Sequence, residues 1–148
     1  MPRHFDYSLD VPCSPADAYD RITSSDAWQG SEVYGKIQWV QGEPWQPDSV
    51  REVETLVPFR AQHKQRVLAA HPGRVIDIMS HGMGYTNHTQ ILLEPSRGDA
   101  AGATGGGTHI QYVIDIEGSL PLPGSLIDDF VHRFMDAYLP ELKKLCGG

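Results

Sequence analysis

Only two cysteines, Cys13 and Cys146, occur in 148 residues, too few and too far apart for a disulfide framework or a metal-ligand spacing. They read as two buried or incidental thiols rather than a bridge. No apolar run approaches the ~20 residues needed to span a bilayer. The opening MPRHFDYSLDVPCS lacks the apolar centre of a secretion signal, so the expected location is cytoplasmic. Positive charge is scarce. Twelve basic residues against 19 acidic ones leave a net charge of −7, which argues against nucleic acid or an anionic membrane surface as the main partner. The seven histidines include no HExxH pair, and no metal site is expected. The glycines of EPSRGDAAGATGGG, Glu94 to Gly107, are followed by neither a helix nor a lysine and so make no phosphate cradle. Asn87-His88-Thr89 matches a glycosylation acceptor, a chance match without a secretion signal. There is no internal repeat, and no nucleophile with an adjacent base is legible.

What remains is ordinary soluble-domain chemistry, 40% hydrophobic and 21% charged, consistent with one domain over 1–148 that can bury a proper core. The long segment Ser125 to Leu145, SLIDDFVHRFMDAYLPELKKL, carries apolar residues at Ile127, Phe130, Val131, Phe134, Tyr138, Leu142 and Leu145. Steps of three and four put them on one face of a helix, widened by Leu126, Met135 and Leu139. Ser125 is the expected cap with Asp128 as its partner, Pro140 is expected to kink the helix, and Gly147 and Gly148 to stop it. Such a wide apolar face needs a concave surface to cover it.

The preceding chain supplies strands. His4 to Val11 alternates, with Phe5, Tyr7 and Leu9 on one face. Ser14-Pro15-Ala16-Asp17 starts a short helix, and Ser24-Ser25-Asp26 breaks it into a second turn carrying Trp28. Lys36 to Gln41, Val50 to Val57, Ala61 to Ala70, Arg74 to Ser80, Tyr85 to Leu93 and Thr108 to Ile116 then read as six strands joined by turns, of which His71-Pro72-Gly73 and His81-Gly82-Met83-Gly84 are the tightest. Glu94 to Gly107 is expected to be a long hairpin tip, and Gly118 to Gly124 a stiff link. Consecutive strands with short turns make an antiparallel sheet, and seven twisted strands curl. The expected fold class is α+β.

The segments SPADAYDRITSSDAW, QGEPWQPDSVREVE, ILLEP and GTHIQYVIDIEG, with the closing helix, resemble the START-like superfamily, also called SRPBCC or the Bet v 1-like helix-grip fold. The likeness lies nearest its polyketide cyclase/dehydrase and lipid-transport branch. It implies a seven-stranded curved sheet around a long C-terminal helix, two short helices after strand one, and a ligand-holding cavity. It implies no cofactor.

Strand parity selects the cavity lining. Thr108, Ile110, Tyr112 and Ile114 should face the helix, as should Asn87 and Thr89, while His88, Gln90 and His109 face out. Ile76 and Ile78 should point in and Asp77 out. With Phe130, Phe134 and Tyr138 these give an apolar pocket in which Tyr112 and Asn87 orient the polar end of a small hydrophobic or amphipathic ligand, a lipid, quinone or aromatic polyketide-like compound. The bland counterpart is a core filled by its own side chains. A cofactor-independent cyclase or dehydratase would need an acid and a base facing the ligand, for which His81 and Tyr112 are the weak candidates. Glu52 and Glu54, grouped with Val50 and Leu56, offer a buried carboxylate if that face turns inward; the simpler expectation is that both are solvated and that His81 is a turn residue. A protein-interaction module or homodimer would use an exposed aromatic patch. Trp28 and Trp39 are expected in the core, and Trp45, between prolines, at the surface or the cavity entrance.

Overall fold

The computed structural model describes residues 3–96, 107–118 and 123–147. In chain order the elements are β1 (Arg3–Val11), α1 (Pro15–Thr23), α2 (Ser25–Trp28), β2 (Tyr34–Gln41), β3 (Val50–Thr55), β4 (Ala61–His71), β5 (Val75–Gly82), β6 (Tyr85–Pro95), β7 (Thr108–Gly118) and α3 (Gly124–Leu145). The seven strands form one antiparallel sheet in the order β1-β7-β6-β5-β4-β3-β2. Sequence neighbours pair throughout, except that β1 joins β7. This is the α+β helix-grip architecture, with the concave sheet around α3. Most of the Glu94–Gly107 tip, 97–106, and of the Gly118–Gly124 link, 119–122, lies outside the described residues. Among the described residues no helix is long and apolar enough to cross a membrane.

Local chemistry explains the start of the chain. The Ser14 hydroxyl accepts from the Asp17 amide at 3.2 Å, Pro15 occupies the first helical position, and Ser24 caps α2 through the Ala27 amide at 3.2 Å. The β5–β6 hairpin turns on Met83-Gly84, both with positive φ (56° and 79°), the pattern of a two-residue primed turn that follows the sheet's twist. A side chain tolerates that backbone poorly, so a methionine there is unusual. Parity holds on β7, where Thr108, Ile110, Tyr112, Ile114 and Ile116 are all buried, and on β5, where Ile76, Ile78 and Ser80 are.

Several expectations need correction. α3 begins at Gly124 with Pro123 at its cap position and no side-chain cap bond, so Ser125 lies within the first turn. The Asp128 carboxylate meets the Arg3 guanidinium of β1 instead of the helix amides, because a full cation outcompetes a partial dipole. Leu126 is exposed rather than part of the buried stripe. β3 ends at Thr55, before the cis Val57-Pro58 bond, and its inward face is Arg51, Val53 and Thr55. Glu52 is therefore exposed. Glu54 faces outward too, accepting from the Lys36 amide at 3.3 Å and pairing with Arg60 at 3.5 Å.

The outer sheet face is polar, with His88 on Asp77, His109 on Asp10 (2.9 Å), and His4 between Asp115 (2.6 Å) and Asp6 (2.8 Å). Inside, the two ends differ. Towards α1 the core is dense, with Ile76, Ile110 and Leu142 fully enclosed and Val11 nearly so. Both thiols are free in this region, and burial together with a bond to Cys13 pushes Cys146 up to about 12. Towards the start of α3, sheet and helix separate.

Candidate functional site

A cavity of about 220 Å³ lies between α3 and the central strands. Ile78, Ile91, Ile114, Phe130, Phe134 and Met135 supply most of its apolar wall, and Asn87, Thr89, Ser80 and Gln65 break it at a few points. At its mouth the β3–β4 turn meets the helix, where Phe59 rests edge-on against Phe130 with ring centroids 5.2 Å apart. The volume falls below the roughly 300–1,000 Å³ usual for drug-sized ligands, so the cavity suits a small occupant.

Of the residues singled out from the sequence, Ile78, Asn87, Tyr112, Ile114, Phe130, Phe134 and Tyr138 line this cavity together. Two do not. Ile110 pairs with Leu9 and Leu93 at the end of the sheet that α1 covers, and it is fully enclosed there. His81 is exposed because β5 runs on through Gly82. The alternation that buries Ile76, Ile78 and Ser80 turns His81 outward, where its Nδ1 lies 3.2 Å from the Thr86 hydroxyl. Trp28 is buried, and Trp39 is half-buried. Trp45 is also half-buried, its indole N–H donating to the Thr23 carbonyl at 2.8 Å and its ring edge-on to Trp39 at 5.3 Å. A loop tryptophan tied down in this way offers no free aromatic patch.

The polar part of the wall is an aromatic cluster. Trp28 from α2 stacks on Tyr138 (4.6 Å between centroids, 4° between planes) and meets Tyr34 edge-on at 5.6 Å. The Tyr112 and Tyr138 hydroxyls are 2.6 Å apart, so one donates to the other and a single proton of the pair is left to offer a ligand. Burial holds Tyr34, Tyr112 and Tyr138 above the ordinary phenol value, making all three neutral donors at physiological pH. Among the described residues the Tyr34 hydroxyl has no hydrogen-bond partner.

Three residues of this site were not legible in advance: Arg51, His63 and Gln65. Arg51 is 7% exposed, an unusual place for a guanidinium. Its Nε donates to Gln65 Oε1 at 2.8 Å, and its cation lies 4.6 Å from the Trp45 ring centroid and 5.7 Å from that of Trp39. His63 lines the cavity, with Nε2 3.2 Å from the Thr55 hydroxyl and its ring against Gly82, where an added Cβ would fall 2.3 Å from Nδ1. Among the described residues no three His, Cys, Asp or Glu side chains converge as a metal set.

Burial lowers the His63 value from 6.5. The unfolded chain then holds more protons than the native one as pH falls through that range, so the native state loses stability there. His4 works the other way. Its bond to Asp115, then that to Asp6, raises it, so its contribution is complete below 6.5 and lost as pH rises through the folded value. Replacing His63 isolates the first effect. Urea midpoints measured between about pH 7.5 and 5.5 should fall less in His63→Gln than in the parent protein. Parallel curves would show that the buried ring accepts its proton without penalty.

No family model matches the chain, and no curated protein does. Solved structures do, over nearly the full length of both partners. The Zhui aromatase/cyclase from a Streptomyces superposes with a TM-score of 0.81 at 10% identity, covering 99% of this chain and 94% of that one. A START superfamily protein from Mycobacterium smegmatis gives 0.78 at 13% identity, with 97% of each chain covered. Ara h 8.0201 gives 0.72 at 15%, with both chains fully covered. The chain has the START-like, helix-grip fold that these share. At such identities the likeness is one of fold and carries no ligand or activity with it.

Proposed function

We propose that this protein binds a small hydrophobic or amphipathic molecule, of the lipid, quinone or aromatic polyketide-like kind, non-covalently between sheet and helix. The observation that carries this reading is the cavity itself. It is a largely apolar hollow, open at its mouth, whose lining carries a limited set of polar groups able to orient an amphipathic guest. Its shortage of packed atoms contrasts with the dense α1 end, so the hollow is local rather than a general looseness of the core. A fold shared with a protein titled an aromatase/cyclase and another titled a START superfamily protein supports the same reading by analogy.

Native mass spectrometry of freshly purified protein, with solvent extraction of whatever dissociates, identifies a resident molecule. Titration with a neutral, environment-sensitive dye tests the empty cavity in parallel. Saturable fluorescence enhancement at one site per chain is the expected result. A clean mass together with no dye response would remove the ligand-binding reading.

A second reading has its own observation. His63, neutral at physiological pH, lines the same cavity as three protonated phenols, and so provides a base and acids facing one guest. A cofactor-independent cyclase or dehydratase needs that pairing. In an enzyme, His63→Gln would abolish turnover of a bound carbonyl compound while leaving its affinity intact. In a carrier, only affinity would move.

A further inference from the structure

A guanidinium removed from water is strongly unfavourable unless an anion or a full set of acceptors meets it. Arg51 has neither. Among the described residues no carboxylate pairs with it, and its one hydrogen bond is the Nε contact to Gln65. The faces of Trp39 and Trp45 offset part of the cost, but they present no oxygen to the two Nη groups. The other neighbours sensitive to this charge are Tyr34 and Tyr138, both in the cavity wall.

Arg51 also decides how Gln65 points. Guanidinium nitrogens can only donate, so the Gln65 oxygen must face Arg51 and its amide N–H groups must face elsewhere. Gln65 lines the cavity, and its Nε2 has no acceptor among the described residues. The free Tyr34 hydroxyl and the one spare proton of the Tyr112–Tyr138 pair lie on the same wall. These groups all donate, with His63 and the Asn87 carbonyl as the acceptors elsewhere on the lining, and a fixed positive charge stands behind the donors. Such a wall recognises an oxygen acceptor, and an ionised one best.

We infer that the molecule bound in this cavity carries a carboxylate, or an enolate or phenolate oxygen of the same charge, which seats against Gln65 and the tyrosine hydroxyls over the buried Arg51. This rests on the ligand-binding reading and narrows it from any amphipath to an anionic one. Arg51 acts here through the groups in front of it, as a positioning and charge-selecting residue. Uptake of the anion supplies the counter-charge that Arg51 lacks among the described residues.

The test uses the full chain and two probes of matched shape, naphthoate and naphthalenemethanol, at about pH 8, where the acid is fully ionised. Calorimetric titration should find naphthoate bound at least roughly tenfold more tightly than the alcohol. In Arg51→Met and Arg51→Gln the preference should vanish, with alcohol affinity and the neutral-dye response retained. Equal binding of the two probes by the parent protein overturns the proposal while leaving the cavity reading intact. So does a preference for the acid that survives in both variants. If neither variant folds, Gln65→Leu takes their place, since it removes the amide that meets the anion and leaves Arg51 its indole contacts; an undiminished acid preference there likewise overturns it. Absence of all binding, dye included, removes the cavity reading and this inference with it.

Discussion

Trp28→Ala lowers the stability of the fold by about 3–5 kcal/mol, the range for deleting a buried aromatic side chain, and the melting temperature by about 10 °C. The Trp28 side chain ties four elements together. It sits on α2, stacks flat on Tyr138 of α3, abuts Tyr34 of β2 and donates its indole hydrogen to the Arg21 carbonyl of α1 at 2.8 Å. At 3% exposure nearly all of its surface is withdrawn from water. Truncation leaves a hollow next to a cavity that already exists, so the two should merge and the neighbours have little reason to collapse. Thermal unfolding by circular dichroism provides the measurement. A loss under about 2 °C would mean that α2 contributes little to holding the helix, and the aromatic stack would have to be regarded as incidental.

Ser80→Phe abolishes ligand binding, by about a hundredfold or more, and leaves the melting temperature unchanged or raised. Ser80 stands on the central strand β5, opposite Gln65 of β4 and Asn87 of β6, and all three line the cavity. A phenyl group there extends into open space rather than into packed atoms. It suits a strand, and its burial adds apolar contact that the serine lacks. Cavity filling is a common route to higher stability, and its usual drawback is lost function. The pair of readouts matters more than either alone. Lost binding with a stable fold identifies the hollow as the place where the ligand sits. Unaffected dye binding would put the dye elsewhere on the molecule, and a steep fall in stability would mean that the space is not free to accept the ring.

How much could be read in advance depends on what the inward face of each strand carries. Where that face is apolar, hydrophobic alternation is strong and the sequence is plain, at the cavity wall as well as in the solid core: β7 with Ile110, Tyr112, Ile114 and Ile116, and β5 with Ile76 and Ile78; the serine caps at Ser14 and Ser24 are equally plain. Where the inward face carries polar groups, the alternation fades. β4 turns Ala61, His63 and Gln65 inward with Gln62 and Lys64 outward, a sequence with no apolar period to follow. β3 is worse, because Val50 and Val53 lie on opposite faces. Grouping Val50 with Glu52 and Glu54 leaves Arg51 out of view, although solvated glutamates are the simpler expectation and Glu52 is exposed. His81 and Ile110 fail for reasons of extent rather than parity: one strand runs two residues further than expected, and one end of the sheet is covered by a different helix.

The pairing of β1 with β7 has a consequence for how the molecule comes into being. Arg3 lies opposite Ile116, and Asp128 of the final helix reaches back to the same arginine. During synthesis the first strand emerges from the ribosome with no partner and waits until nearly the whole chain has followed. Only then can the edge of the sheet be completed and the helix held. Contacts so distant along the chain make folding slow, because most of the closure entropy is lost before the reward arrives. Until then the apolar face of β1, Phe5, Tyr7, Leu9 and Val11, is open to any neighbouring chain. The outward residues of that strand, His4, Asp6, Ser8 and Asp10, are all polar, so a stray partner meets one greasy side and one charged side rather than a ribbon it can stack on freely.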